Sequence, residues 1–268
     1  MAPADAMWLG AAWVGLCAGL SWLDIQLAYV GIFSLVFLAV RTLLVPALST
    51  AFAADYRDGK GLLATTESKL LWCNTAVSLV HSCLSSALSL AVLAVVPIHD
   101  WVHSCTFMAT LCLSLSTGYF IYDFYDMVVG DLHRRAVGIL LHHIMVTICY
   151  VLSIYYRVGV PYLVVMLLLE INSICLHLRK LMAMVGFTLT DRVYVVVWQA
   201  LWLTFYTTRM LLTAGVHFAV FLDRAHFPET FQFATAFTGL TVLHVLNYLV
   251  YQGCTKAYRK ETAYLKKL

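Results

Sequence analysis

Long apolar stretches separated by short polar ones dominate this chain. Four of them, residues 70–99, 101–122, 136–156 and 230–255, contain no Asp, Glu, Lys or Arg and consist largely of Leu, Val, Ala, Phe and Ser. A helix crossing the hydrocarbon core needs about 20 such residues, because it rises about 1.5 Å per residue through a layer about 30 Å thick. Three further stretches are long enough but carry an isolated charge: 25–48 with Arg41, 160–181 with Glu170 near its middle, and 193–217 with Arg209. The pattern predicts an all-α, polytopic transmembrane bundle of seven spans. Residues 8–23 are apolar but shorter and stop at Asp24, which fits an eighth span, a half-embedded helix or a cleaved signal peptide. Gly159 behind Arg157, with Pro161 in the first turn of the next run, predicts a tight hairpin between the fourth and fifth spans.

The chain divides into an N-terminal apolar segment (1–24), a first span with its loop (25–64), a main helical domain (65–255) and a basic tail (256–268). Composition agrees with a membrane chain. Hydrophobic residues make up 62% and charged ones 12%, with mean hydropathy +0.84, against about 45–50% and about 25% in soluble domains. The surplus apolar surface has to face lipid. No low-complexity linker or internal repeat divides the sequence.

Charge sets the orientation. Thirteen of the 17 Lys and Arg residues fall in the segments on one side of a seven-span arrangement and two, Arg157 and Arg224, on the other. Cytosolic loops carry the excess of basic residues, so the C-terminus is expected in the cytosol. The eight cysteines form no C-x-x-C pair or zinc-type spacing, and neither a disulfide framework nor a metal is expected. No nucleic-acid partner is expected, and no N-x-S/T acceptor occurs.

An ionisable group inside a span costs about 2.5–3.5 kcal/mol on insertion scales, so it normally faces the bundle interior and finds a partner. His81, Asp123, Asp126, His142, His143, Glu170, His177, His244 and Asn247 all fall at the midplane or in the cytosolic half. That clustering points to a polar pocket open to the cytosolic leaflet, with Arg209 farther out as its roof. His81 and His244 fit interhelical hydrogen-bonding roles, and Asp126 a solvated or capping one. Adjacent His142 and His143 point about 100° apart, so one can face a pocket while a carboxylate orients the other. A metal site is disfavoured, because no H-x-x-H or H-x₃-H spacing sets two ligands on one helical face.

Four blocks carry a resemblance: N-x-x-V-S-L-V-H-S at 74–82, G-Y-F-I-Y-D at 118–123, L-L-H-H at 140–143 and L-L-L-E-I-N-S-I-C-L-H-L-R-K-L at 167–181. In order and spacing they resemble the TLC domain family, membrane proteins that include the ceramide synthases, across roughly residues 65–255. By that resemblance His142, His143 and Asp123 stand at catalytic positions, and His81, Glu170, Asn172 and Arg209 at lipid-pocket positions. The synthases' later H-D-x-x-D is absent, since the comparable helix reads L-L-L-E-I-N-S.

The resemblance therefore implies a regulator of phospholipid acyl composition and membrane fluidity that limits incorporation of polyunsaturated-chain phospholipids, partnered by membrane phospholipids, without a resident cofactor. It implies the plasma membrane, with the endoplasmic reticulum as alternative; the terminal Leu265-Lys266-Lys267-Leu268 is neither K-D-E-L nor a dilysine retrieval signal. The competing reading is a ceramide-synthase-like acyltransferase using acyl-CoA as substrate, with one histidine of the pair as general base. A transporter is disfavoured, because no pair of Gly/Pro-broken spans recurs in corresponding halves.

Overall fold

The structure, a computed structural model, describes residues 3–23, 25–59, 61–132 and 137–266. Lys60, Arg134, Arg135 and Lys267 of the basic count, and Asp24, lie outside these. Among the described residues there is no strand. The helices are α1 (Pro3–Leu23), α2 (Ile25–Ala39), α3 (Val45–Phe52), α4 (Ala54–Asp58), α5 (Thr66–Val95), α6 (Phe107–Val129), α7 (Val137–Tyr156), α8 (Val160–Met166), α9 (Glu170–Met184), α10 (Arg192–Thr204), α11 (Thr213–Leu222) and α12 (Thr230–Leu265).

Several of these join into continuous rods. A π-helical turn, Val40–Leu44, carries α2 into α3; a 3₁₀ turn, Leu167–Leu169, joins α8 to α9; a second π segment, Phe205–Leu212, joins α10 to α11. Five helical rods are long and apolar enough to cross a membrane: Ile25–Ala51, Thr66–Val95, Val160–Met184, Arg192–His226 and Thr230–Leu265. Gly10–Leu20 and Leu140–Tyr156 are shorter apolar helices, and α6 is 23 residues long with Asp123 and Asp126 in its last two turns. The chain is an all-α, multi-pass membrane protein.

Local chemistry explains where the elements begin. Thr65 caps α5 by accepting from the Ser68 N–H at 3.1 Å, and Thr106 caps α6 by accepting from the Ala109 N–H at 3.3 Å. The third apolar run was expected to be helical from residue 101; the helix starts at Phe107 instead. The Asp100 carboxylate accepts from the Val102 and His103 N–H groups at 2.8 and 2.9 Å, folding the intervening residues into a turn that competes with helix. The expected hairpin between α7 and α8 is present, with Arg157 at φ 57° and Gly159 at φ 69°. The Gly159 N–H donates to the Val102 carbonyl at 2.8 Å, tying the two loops on that side together.

Helix α2 crosses α6 at close range. A Cβ at Gly118 would lie 2.7 Å from the Val30 carbonyl oxygen and 2.9 Å from the Ser34 nitrogen, so only glycine permits this approach. Val30, Phe37, Val77, Leu113, Tyr122 and Ile154 fill the core between α2, α5, α6 and α7. The helix α1 packs on α2 and α6; its buried Trp13 donates to Ser34 Oγ at 3.0 Å and stacks on Tyr125.

At the opposite end of the chain the basic tail does not begin at a break. Helix α12 continues through it to Leu265, held by Glu261, which accepts from Arg179 Nη1 at 3.0 Å, the Tyr194 hydroxyl at 3.1 Å and Trp198 Nε1 at 3.0 Å.

Candidate functional site

Most of the sequence-predicted polar residues fall, among the described residues, into three groups. The first lies toward the side that carries the basic segments. Arg41, in the π turn between α2 and α3, pairs with Asp126 at 3.2 Å. Asn74 on α5 donates to Asp126 Oδ2 at 3.1 Å and to Asp123 Oδ1 at 2.7 Å. His143 Nδ1 then lies 3.1 Å from Asp123 Oδ2, out of line for a hydrogen bond. Asp126 was expected to be solvated or to act as a cap; it is largely buried, because a cation on the neighbouring rod compensates it in a medium that would otherwise neutralise it.

The second group surrounds His81, whose ring stacks on Tyr119 with centroids 3.8 Å apart and 7° between planes. Tyr119 donates to Ser78 Oγ at 2.8 Å. Glu170 Oε2 accepts from Ser82 Oγ at 2.7 Å and lies 3.9 Å from His81 Nδ1, beyond hydrogen-bond reach. The Phe120 ring stands between this group and the histidine pair, 6.1 Å from His142 and 5.1 Å from His143.

The third group is built on Arg209, in the π segment Phe205–Leu212. Its Nε donates to Asn172 Oδ1 at 2.7 Å, Nη1 to Asn247 Oδ1 at 3.1 Å and Nη2 to Ser173 Oγ at 2.8 Å. Asn172 donates in turn to the Leu201 carbonyl at 2.9 Å, and Asn247 to the Arg209 carbonyl at 2.8 Å. One guanidinium thus ties α9, the π segment and α12 together. Arg41 and Arg209 both sit in π-helical segments; such segments are rare and concentrate at functional sites.

Above Arg209 lies an open cavity whose empty space, solvent at its mouth included, is about 1170 Å³. Its inner end carries Phe120, His142, Glu170 and Arg209; its walls include Met166, Leu167, Val216, Leu240 and Leu243; its outer end is formed by Tyr156, Gly159 and Phe227. The location differs from the expected one. Arg209 is the floor rather than the roof, and the free space extends toward the loops opposite the basic segments. The Arg209 fork holds three helical rods together on the basic side of this cavity. At the outer end the Tyr162 hydroxyl donates to Asp223, linking α8 to the loop after α11.

Of the seven residues singled out from sequence, His142, Glu170 and Arg209 line the cavity, while His143, Asp123, His81 and Asn172 lie behind it. His142 faces the space but its neighbour His143 has the carboxylate, and the rings are 5.7 Å apart. His244 stands apart, stacked on His217 at 5.2 Å. Among the described residues no three His, Cys, Asp or Glu side chains gather as a metal set would. Asn74, bridging both aspartates, was missed, although it opens the first of the four sequence blocks.

Comparisons with known proteins bear on this arrangement. Residues 71–252 match the TLC domain (TRAM, LAG1, CLN8). TLC domain-containing protein 2 of Danio rerio is 36% identical over 115 residues, covering 42% of this chain and 47% of that protein. The Mus musculus protein of the same name is 37% identical over 129 residues, covering 46% and 42%. TLC domain-containing protein 1 of Mus musculus is 32% identical over 113 residues, covering 41% and 46%. The matched segments span less than half the length of these relatives, and no solved structure matches. With the domain match covering most of its length, the chain belongs to the TLC domain family.

Proposed function

We propose that this protein binds a lipid acyl chain in the cavity above Arg209 and, through that chain, adjusts phospholipid acyl composition and membrane fluidity, limiting the incorporation of polyunsaturated chains. The carrying observation is the cavity itself: its walls are mostly apolar, its charged groups Glu170 and Arg209 gather beside His142 at the inner end, and neutral polar side chains such as Gln232 and Thr235 line it farther out. Ligand sites of this kind are mostly apolar with a few placed polar groups that fix orientation. The plasma membrane is the proposed location, with the endoplasmic reticulum as alternative, and phospholipids or acyl-CoA are the proposed partners.

An acyltransferase is the second reading, supported by the 3.1 Å approach of His143 to Asp123. A general base has to reach the proton it removes. Here the carboxylate partners the histidine behind the cavity wall, and the one facing the cavity lacks it, which favours binding over turnover. The test is lipid profiling of cells lacking the protein, rescued with wild type, His142→Ala or His143→Ala. Binding predicts that His142→Ala fails to restore the profile while purified wild-type protein turns over no acyl-CoA. Turnover abolished by His143→Ala would replace this reading with the enzymatic one.

A further inference from the structure

We infer that Arg209 is the head-group site of this cavity, and that its ligand is a long-chain lipid ending in one anionic group, a carboxylate or a phosphate. The inference rests on the acyl-cavity reading and adds the chemistry of the ligand's polar end.

A guanidinium does not give up its proton in a protein. Placed inside a membrane domain it needs a counter-charge, or the cost of leaving water goes uncompensated. The chain supplies one elsewhere: Arg41 has Asp126 at 3.2 Å and Arg179 has Glu261 at 3.0 Å. Arg209 is treated differently. All three of its side-chain hydrogen-bond partners, Asn172, Asn247 and Ser173, are neutral, and among the described residues no carboxylate comes within the ion-pair distance that Arg41 and Arg179 achieve. Three of its five N–H groups are used, leaving one on each terminal nitrogen to donate to an anion.

Glu170 is the other charged group on the cavity wall, but its Oε2 is held from α5 by Ser82 at 2.7 Å. It therefore opposes an arriving anion without neutralising Arg209 at close range. A small inorganic anion would satisfy the guanidinium alone. The apolar walls formed by Met166, Leu167, Val216, Val220, Leu240 and Leu243 lead away from it and call for a chain on that anion.

The experiment is equilibrium binding to the purified full-length protein in uncharged detergent, using oleate, oleoyl lysophosphatidate, oleyl alcohol and inorganic phosphate. Hydrogen bonds to a charged group predict that at least one anionic chain binds about tenfold or more tighter than the alcohol; the tighter anion identifies carboxylate or phosphate as the source. Arg209→Gln is expected to erase the difference, Arg209→Lys to keep part of it, and Glu170→Gln to widen it by tightening the anion relative to the alcohol. Should Arg209→Gln fail to fold, the wild-type comparison and Glu170→Gln still decide. Oleyl alcohol binding wild type as tightly as both anions overturns the inference and leaves the acyl cavity standing. No chain binding at all removes the cavity reading as well, and displacement of the chains by inorganic phosphate supports the site on Arg209.

Discussion

Replacing Asn172 by Ala removes the hub of the Arg209 fork. Asn172 accepts from Arg209 Nε and donates to the Leu201 carbonyl and Thr204 Oγ1, at 2.7, 2.9 and 3.0 Å. Neutral interhelical hydrogen bonds in membranes average about 0.6 kcal/mol, whereas bonds to a charged group contribute about 1.5–3 kcal/mol. The charged bond therefore dominates, and the whole substitution is expected to cost about 3 kcal/mol. Thr204→Val is the control: it removes a neutral partner of the same asparagine and should cost about 0.6 kcal/mol. Unfolding by SDS titration in mixed micelles, followed by circular dichroism, measures both. Equal costs for the two variants would refute the argument, because the guanidinium would then gain nothing from its asparagine.

Gly118→Ala places a methyl group 2.7 Å from the Val30 carbonyl oxygen, so α2 and α6 must separate; the same titration should register about 1–3 kcal/mol of destabilisation. Glu261→Ala strands Arg179, the Tyr194 hydroxyl and Trp198 Nε1; with both ions of the pair about a fifth to a quarter exposed, the loss is about 1–2 kcal/mol, and trypsin should cut faster at Arg259 and Lys260. Asp100 lies in an exposed turn where the His103 N–H, the His103 ring and the Val102 N–H hold its carboxyl below the usual range. A lowered carboxyl value means the turn's contribution is present above the ordinary carboxylate value and lost as pH falls through the folded one. The Val102 amide resonance should therefore move only below about pH 4, and a transition above that would contradict the assignment.

The helical spans were legible because lipid exposure forces long apolar runs, and the α7–α8 hairpin because Gly159 and Pro161 have few other uses. The start of α6 was not, since residues 101–106 are apolar enough for a span and only the Asp100 turn diverts them. The π segments holding Arg41 and Arg209 leave no signature in residue type, and the place of Arg209 relative to the cavity depends on contacts with Asn172, Ser173 and Asn247 on other helices, which the pattern of one span does not show. The sequence singled out buried polar residues but not their geometry. Periodicity shows that His142 and His143 face different ways; which of them meets Asp123 depends on how α6 and α7 pack, and that is settled by tertiary contacts such as those of the Phe120 ring with both histidines. The pairing of Arg41 with Asp126 had a sequence signal, a single cation in one span and an aspartate in the same half of another, whereas Asn74 reads from sequence as an ordinary polar residue near a helix start.

Occupancy of the cavity can be measured by native mass spectrometry of the protein purified from membranes, comparing wild type with Leu243→Trp, which fills the cavity from α12. The wild type should retain a lipid bearing a long acyl chain, and Leu243→Trp should fold and lose it. A wild type that carries no lipid, or a variant that retains the same lipid at the same occupancy, would contradict the acyl-binding cavity.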